Sequence, residues 1–117
     1  MDFQTITPEQ LDELDPSALD ELPFGAIGLN EARQVDLYNA TESRLAGLSR
    51  DRVMGRDFFN AVAPCMNNYL VAQRFDDEAE LDATIDYVLT LRMRPTPVKL
   101  RLLQRAGRDR RFILVQR

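Results

Sequence analysis

The stretch that decides the fold is PVKLRLLQRAGRDRRFILVQ, residues 97–116. Residues 98–102 alternate apolar and basic side chains, which is typical of a β-strand with one buried face. Residues 112–115, FILV, are apolar throughout, so Phe112 and Leu114 on one face of the strand are matched by apolar residues on the other. A strand of this kind needs cover on both faces. The sequence therefore predicts a sheet that lies between two layers.

Three further strands are predicted upstream. Residues 24–39, FGAIGLNEARQVDLYN, predict a β-hairpin with strands 24–29 and 34–38 and a polar turn around 30–33. Residues 84–93, TIDYVLTLRM, are rich in β-branched and aromatic side chains and predict a long strand. Five strands grouped as two and then three favour an antiparallel sheet with helices on one face, an α+β fold.

The N-terminal residues predict two short helices. TPEQLDEL, residues 7–14, and DPSALDEL, residues 15–22, each begin with a capping residue followed by proline. Helices this short are unstable alone and must pack against something. Because the last strand needs cover on its second face, we expect residues 1–22 to form a helical cap there.

The middle of the chain predicts helices. Residues 39–65 suit short helical pieces, with Asn39 as an N-cap and Gly47 as a C-terminal stop. Residues 66–81 predict one longer helix. Its expected core contacts are Leu70, Phe75 and Leu81.

Charge is unevenly distributed along this 117-residue chain. Residues 1–32 carry eight acidic side chains and no basic one, whereas residues 92–117 carry nine basic side chains and one acidic. The basic residues alternate with apolar ones and lack the interleaved aromatic residues of many nucleic-acid-binding surfaces. We therefore expect no nucleic-acid binding, and instead expect the two oppositely charged segments to face each other or water.

The composition excludes several classes of site. The chain has no histidine and a single cysteine, Cys65, so it cannot form a Ser-His-Asp or Cys-His arrangement or the usual zinc site. We expect neither an enzyme nor a metal site. No apolar stretch approaches the roughly 18–20 residues that cross a bilayer, and no signal peptide is recognisable. We therefore expect a cytoplasmic protein that is not inserted in a membrane.

Three residues invite more than one interpretation. Cys65, in RDFFNAVAPCM at residues 56–66, would ordinarily be a small buried hydrophobic residue. Tyr38 would ordinarily be a core ring, and Glu42 lies at the capping-box spacing from Asn39, which places a carboxylate at the surface. If the helix begins by residue 38, however, Tyr38 and Glu42 share one of its faces.

Four segments resemble one family. LPFGAIGLN, YNATESRLAGL, VMGRDFFNAVAPC and LRMRPTPVKL are similar to segments of the photoactive yellow proteins, which are bacterial blue-light receptors. The resemblance runs from about residue 19 to residue 117, with a shortening between Phe75 and Tyr87. It implies a PAS fold, in which a five-stranded antiparallel sheet carries helices on one face. Residues 1–22 would cap the other face of a core formed by residues 23–117.

The resemblance also implies a chromophore. In the family, p-coumaric acid (4-hydroxycinnamic acid) is bound as a thioester to the cysteine that matches Cys65. Its phenolate end is held by the residues that match Tyr38 and a protonated Glu42. Phe58, Ala63 and Leu89 could equally be ordinary residues of the hydrophobic core. The pocket walls that the resemblance suggests are Ile27, Phe58, Val62, Ala63, Leu89 and Met93.

A mechanism follows as a hypothesis. Light isomerises the chromophore, Glu42 passes a proton to the phenolate, and the carboxylate left behind is buried without a partner. The cap of residues 1–22 then loosens, which is the signal to an unknown downstream signalling protein. We expect a monomer or a weak dimer. The alternative is a PAS module without chromophore that serves in interaction or dimerisation.

The chain departs from the family pattern at three positions. Ala46 and Leu48 stand where the family has a threonine and an arginine, so Tyr38 loses an anchor and the pocket loses a charge at its edge. Leu91 replaces a tyrosine, whereas Met93 is retained. We expect these changes to alter the colour or the recovery rate of a working receptor.

Overall fold

A computed structural model describes residues 2–90 and 94–117 of the chain. Single turns of π-helix (Phe58–Val62) and 3-10 helix (Pro64–Met66) lie between the fourth and fifth α-helices. The helices are α1 (Pro8–Glu13), α2 (Pro16–Glu21), α3 (Ala40–Ala46), α4 (Arg50–Val53) and α5 (Ala72–Asp77). The strands are β1 (Gly25–Leu29), β2 (Val35–Tyr38), β3 (Leu81–Leu89), β4 (Thr96–Gln104) and β5 (Arg111–Gln116).

The strands form one antiparallel sheet in the order β2-β1-β5-β4-β3. β5 is the middle strand, which explains why its sequence is apolar on both faces. Ile27 of β1 pairs with Tyr38 of β2 on one side and with Ile113 of β5 on the other. The α+β fold and the five-stranded antiparallel sheet predicted from the sequence are confirmed.

The sheet carries a hydrophobic cluster on each face. Ile113 and Val115 point into the cluster beneath the helices that follow β2, whereas Phe112 and Leu114 point into the cluster beneath the N-terminal residues. Each large apolar side chain buried in this way contributes about 1.5–3 kcal/mol. The N-terminal segment and the hairpin entrance supply Phe3, Ile6, Leu11, Leu19, Leu22 and Phe24 to the second cluster. Residues 3–22 therefore cover the outer face, as predicted.

Ion pairs join this N-terminal cap to the basic end of the chain. Glu9 lies 3.2 Å from Arg105, and Asp12 lies 2.8 Å from Arg108 and 3.5 Å from Arg110. The segments of opposite charge therefore face each other. Because these side chains are partly exposed, each ion pair contributes about 1 kcal/mol or less to stability. Most of the free energy that keeps the cap on the sheet therefore comes from the apolar cluster.

Arg101 of β4 anchors the first residues of the cap. Its side chain is only 6% exposed, and its Nη1 donates to the carbonyls of Phe3 at 2.9 Å and Ile6 at 2.5 Å. Its Nε donates to Asp82 Oδ1 at 3.0 Å. Its Nη2 donates to Asp82 Oδ2, also at 3.0 Å. The guanidinium therefore exchanges water for four acceptor atoms and fastens residues 3–6 to the sheet.

Replacing Arg101 with methionine should detach this end of the cap. We expect the free energy of unfolding to fall by about 2 kcal/mol, since two carbonyls lose their donor at a buried site. Urea denaturation and limited proteolysis within residues 2–6 measure the effect. Lys99→Met is the matched control, because the Lys99–Asp86 pair is exposed and its loss should change stability by less than about 0.5 kcal/mol. Equal stability of the two variants would contradict the anchoring role.

The predicted helix over residues 66–81 is wrong. Only α5 is α-helical in this range, and Leu81 begins β3. Leu70 is 42% exposed, whereas Phe75 and Leu81 are buried in the core as predicted. The Asn68 side chain explains the break, because its Oδ1 accepts from the backbone N–H groups of Leu70 and Val71 at 3.0 and 3.3 Å. An asparagine that bonds locally in this way competes with helix formation.

Candidate functional site

The residues predicted to line a pocket lie together on the helix-covered face of the sheet. Ile27, Phe58, Ala63 and Leu89 are buried members of the apolar cluster there, and Val62 packs against it partly buried. Tyr38 and Cys65 belong to the same assembly. Met93 lies outside the described residues, as does Leu91. It stays a prediction that Phe58, Ala63 and Leu89 line a pocket and are not simply residues of the hydrophobic core.

Cys65 lies in the short 3-10 turn, with its thiol free and its side chain half-buried. Its carbonyl accepts from Asn68 Nδ2 at 3.1 Å and from the Tyr87 hydroxyl. Asn68 Nδ2 also lies 2.7 Å from the Tyr87 oxygen. These contacts fix the backbone at Cys65 and leave its sulfur uninvolved. Asn68 and Tyr87 were not predicted from the sequence, because nothing in their spacing connects them to the cysteine.

Tyr38 is the last residue of β2 and is buried. Burial raises the pKa of its hydroxyl above the usual value for tyrosine, the charge of Glu42 raises it further, and Arg117 lowers it. The hydroxyl therefore keeps its proton over the ordinary pH range. A tyrosine in this state can donate one hydrogen bond into the apolar cluster.

Glu42 lies in the first turn of α3 and its side chain is only 2% exposed. Its backbone N–H donates to Asn39 Oδ1 at 3.0 Å, so Asn39 caps the helix as predicted. The carboxylate does not return to the Asn39 backbone, so the surface position of a capping box is wrong for Glu42. The idea that Tyr38 and Glu42 share a helical face is wrong too, because α3 begins at Ala40.

The carboxylate of Glu42 is instead paired with Arg117. Arg117 Nη1 donates to Oε1 at 2.7 Å and Nη2 donates to Oε2 at 3.3 Å. Burial raises the pKa of Glu42 above its usual value, although the hydrogen bond and charge of Arg117 act to lower it. The prediction that an ionised Glu42 has no partner is therefore wrong. Arg117 was not predicted from the sequence, since no short-range spacing connects two residues 75 positions apart.

Gly25 of β1 gives the Glu42 carboxyl group its room. A Cβ atom at position 25 would lie 2.0 Å from Glu42 Oε1 and 3.0 Å from its carboxyl carbon. Real Cβ atoms do not approach other atoms this closely. The glycine is therefore needed for close approach of a side chain to the strand backbone.

Gly25→Ala should displace the carboxyl group and destabilise the fold. We expect a loss of roughly 1–3 kcal/mol, the usual cost of forcing extra volume into a packed site. A double-mutant cycle with Glu42→Ala, followed by urea denaturation, tests the cause, because the penalty should shrink once the opposing carboxyl group is gone. The same penalty in both backgrounds would show that Glu42 is not what Gly25 accommodates.

Asn39 connects the site to the N-terminal cap through four hydrogen bonds. Its Oδ1 accepts from Ala26 N at 3.0 Å as well as from Glu42 N, and its Nδ2 donates to the carbonyls of Leu19 at 2.8 Å and Phe24 at 3.1 Å. The side chain is buried, and all of its hydrogen-bonding capacity is used.

Thr41 adds a second link, because its hydroxyl donates to the Leu22 carbonyl at 2.6 Å. Asn39 and Thr41 therefore flank the start of the helix that carries Glu42 and hold the end of the cap. A movement of α3 would act directly on these bonds.

Two of the departures from the family pattern, Ala46 and Leu48, make apolar contacts. Ala46 is buried, and Leu48 packs partly buried against the cluster that contains Cys65. Leu48 can therefore exclude water but offers no charge.

Two findings limit the chemistry of the described ranges, 2–90 and 94–117. They hold no group of three or more His, Cys, Asp or Glu side chains arranged to bind a metal ion. No helix in this part of the chain is long and apolar enough to cross a membrane.

Comparison with known proteins gives consistent relatives, although no family model matches the chain. It is 34% identical over 108 residues to a photoactive yellow protein of Rhodothalassium salexigens, in an alignment covering 90% of this chain and 86% of that protein. It is also 34% identical over 102 residues to a photoactive yellow protein of Halochromatium salexigens, covering 85% and 82%.

Solved structures agree with these relatives. The photoactive yellow protein domain from the sensor histidine kinase Ppr of Rhodospirillum centenum matches with a TM-score of 0.85 and 38% identity, over 93% of this chain and 98% of that domain. The PAS domain of an HTR-like protein from Haloarcula marismortui matches with a TM-score of 0.70 at 14% identity, over 92% and 97%. The fold predicted from the sequence, a PAS fold, is confirmed.

Proposed function

Because this chain belongs to the photoactive yellow protein family, we propose that it is a blue-light photoreceptor that carries p-coumaric acid as a thioester on Cys65. One observation carries the proposal beyond family membership. A half-buried cysteine and a buried tyrosine, 27 positions apart in sequence, belong to one apolar assembly on the helix-covered face of the sheet. The similarity to a domain of a sensor histidine kinase supports a downstream signalling partner. A cytoplasmic location and a monomer or weak dimer stay predictions.

The residues fit such a group by their chemistry. The Cys65 sulfur is the nucleophile that a thioester needs, and its backbone is fixed by Asn68 and Tyr87. At the polar end, a buried phenolate needs donors, since an unsatisfied charge is expensive in an apolar site. Tyr38 supplies one donor, and Glu42 supplies a second whenever its carboxyl group is protonated.

When bound, p-coumaric acid supplies absorption of blue light and a double bond whose isomerisation moves its phenolate end. The protein residues do the rest. Cys65 holds one end in place, and Tyr38 keeps its proton and donates. Glu42 holds a proton on its carboxyl group in the dark and gives it up to the phenolate oxygen after illumination.

The signal in this proposal is loosening of the N-terminal cap, residues 1–22. The contacts on which it rests are the bonds from Asn39 and Thr41 to the carbonyls of residues 19–24. A change of charge at Glu42 disturbs the first turn of α3, and these bonds carry the disturbance to the end of the cap. Residues 3–6 lie at the other end of the cap and are held separately by Arg101.

Hydrogen exchange of the loaded protein in darkness and under blue light tests this proposal. We expect the absorption band to bleach reversibly and the amides of residues 17–22 to exchange about tenfold faster in the light, because their link to α3 weakens. Residues 3–6 serve as an internal control with a smaller change. Equal protection of the whole cap in both states would contradict its release as the signal, and an absorption band indifferent to light would contradict the receptor.

A further inference from the structure

Arg117 makes a two-point contact with the buried carboxylate of Glu42. The two nitrogen–oxygen distances are 2.7 and 3.3 Å, and the Arg117 side chain is itself only 16% exposed. Most other ion pairs of the described residues lie between partly exposed side chains. An ion pair at this depth is screened little by salt or water, so losing one partner has a large effect on the other.

Three elements meet at this ion pair. Glu42 lies on α3, Arg117 follows directly on the middle strand β5, and Gly25 of β1 lies against the carboxyl group. Gly25 is paired with Val115, two residues before Arg117. The sheet register therefore brings the residue after β5 to the side chain that the proposed function uses as proton donor.

We propose that Arg117 is a positioning residue that decides whether Glu42 carries a proton or a negative charge. The ion pair stands on geometry alone, whereas its effect on the light response rests on the proposed function. A guanidinium fork matches the two oxygens of a carboxylate and cannot bind a protonated carboxyl group equally well. Arg117 therefore favours the carboxylate form of Glu42, whereas the apolar pocket favours the protonated form.

Few other charges of the described residues act on Glu42 from the elements packed around it. β2 contributes the Tyr38 hydroxyl, which stays neutral, and β1 contributes the backbone of Gly25. α2 contributes Asp20, whose carboxylate is already paired with Arg50 at 2.6 Å. Burial of Glu42 favours its protonated form and Arg117 favours the carboxylate, so removing Arg117 leaves burial unopposed.

The consequence for a light cycle has a definite direction. After Glu42 has given up its proton, Arg117 stabilises the carboxylate and so prolongs the state that follows. Without Arg117 the carboxylate would be buried without a cation and would recover its proton sooner. We expect dark recovery to be at least about tenfold faster in Arg117→Met, which corresponds to one unit of pKa difference at Glu42.

The first test uses the chain without chromophore. The side-chain carboxyl carbon of Glu42 is followed by NMR as a function of pH, with Glu42→Gln to assign the signal. We expect the titration midpoint in Arg117→Met to lie at least about one pH unit above that of the unmodified chain, and the midpoint in Arg117→Lys to lie between them. Arg44→Met removes an exposed cation from the same helix and should leave the midpoint unchanged.

The outcomes separate the two proposals. An unchanged midpoint in Arg117→Met overturns the role of Arg117, and if that variant fails to fold, an unchanged midpoint in Arg117→Lys does the same. The second test loads the same variants with p-coumaric acid and measures dark recovery. A raised midpoint in Arg117→Met together with no light response in any variant would support the role of Arg117 and refute the photoreceptor proposal. A light response with unchanged recovery in Arg117→Met would refute the effect of the pair on the cycle.

Discussion

Replacing Asn39 with alanine is expected to lower the free energy of unfolding by about 3 kcal/mol, a large share of the ~5–15 kcal/mol that stabilises a small domain. The substitution removes a helix cap and leaves two backbone N–H groups and two carbonyls without their partner at a buried site. Urea denaturation of the chain without chromophore measures the loss directly.

The matched control is Asn60→Ala. Asn60 also takes part in capping a helical turn, because its N–H and Nδ2 donate to the carboxylate of Asp57, the N-cap of the π-helical turn. Its side chain, however, is at the surface. We expect a change of less than about 1 kcal/mol there. If the two asparagines cost the same, Asn39 is an ordinary helix cap, and the proposed connection between α3 and the N-terminal cap loses its physical basis.

Much of the fold follows from the sequence because the relevant signals are local. FILV at 112–115 is apolar on both faces, and this alone predicts a strand covered on two sides. The hairpin around residues 30–33 and the proline-started helices at 8 and 16 are specified by turn and capping chemistry within a few residues. The structure places all of these elements within a residue or two of the predicted bounds.

The helix over residues 66–81 shows where local reasoning fails. Its composition suits a helix, but the Asn68 side chain takes backbone donors at 70 and 71 and also reaches Tyr87 on β3. The second contact is available only after β3 has folded against the turn. Tertiary contacts of this kind override helix propensity, which is weak per residue.

The candidate site divides in the same way. Cys65, Tyr38 and the apolar lining residues stand in recognisable motifs, and the structure brings the described ones into one assembly. Arg117 does not stand in a recognisable motif, because its contact with Glu42 depends on the sheet register and on the space beside Gly25. The attachment point and the donors therefore stay predictions from the sequence, whereas Arg117, which we propose controls the charge of one donor, was not predicted.

Replacing Cys65 with serine is expected to abolish chromophore attachment completely. When activated p-coumaric acid is added, the Cys65 sulfur should form a new S–C bond to the carboxyl carbon, while the activating group leaves with the thiol proton. We expect one chromophore per chain in the unmodified protein, a yellow colour, and neither in Cys65→Ser. Asn60→Ala, a surface change near the same turn, should load normally.

The central claim is tested most directly by the mass spectrum of the reconstituted chain and of its proteolytic peptides. We predict a single adduct on the peptide containing Cys65, released by hydroxylamine as a thioester is, and no adduct in Cys65→Ser. A chain that acquires no adduct, or one whose colour and mass persist in Cys65→Ser, would contradict the photoreceptor and leave a PAS module that works without chromophore.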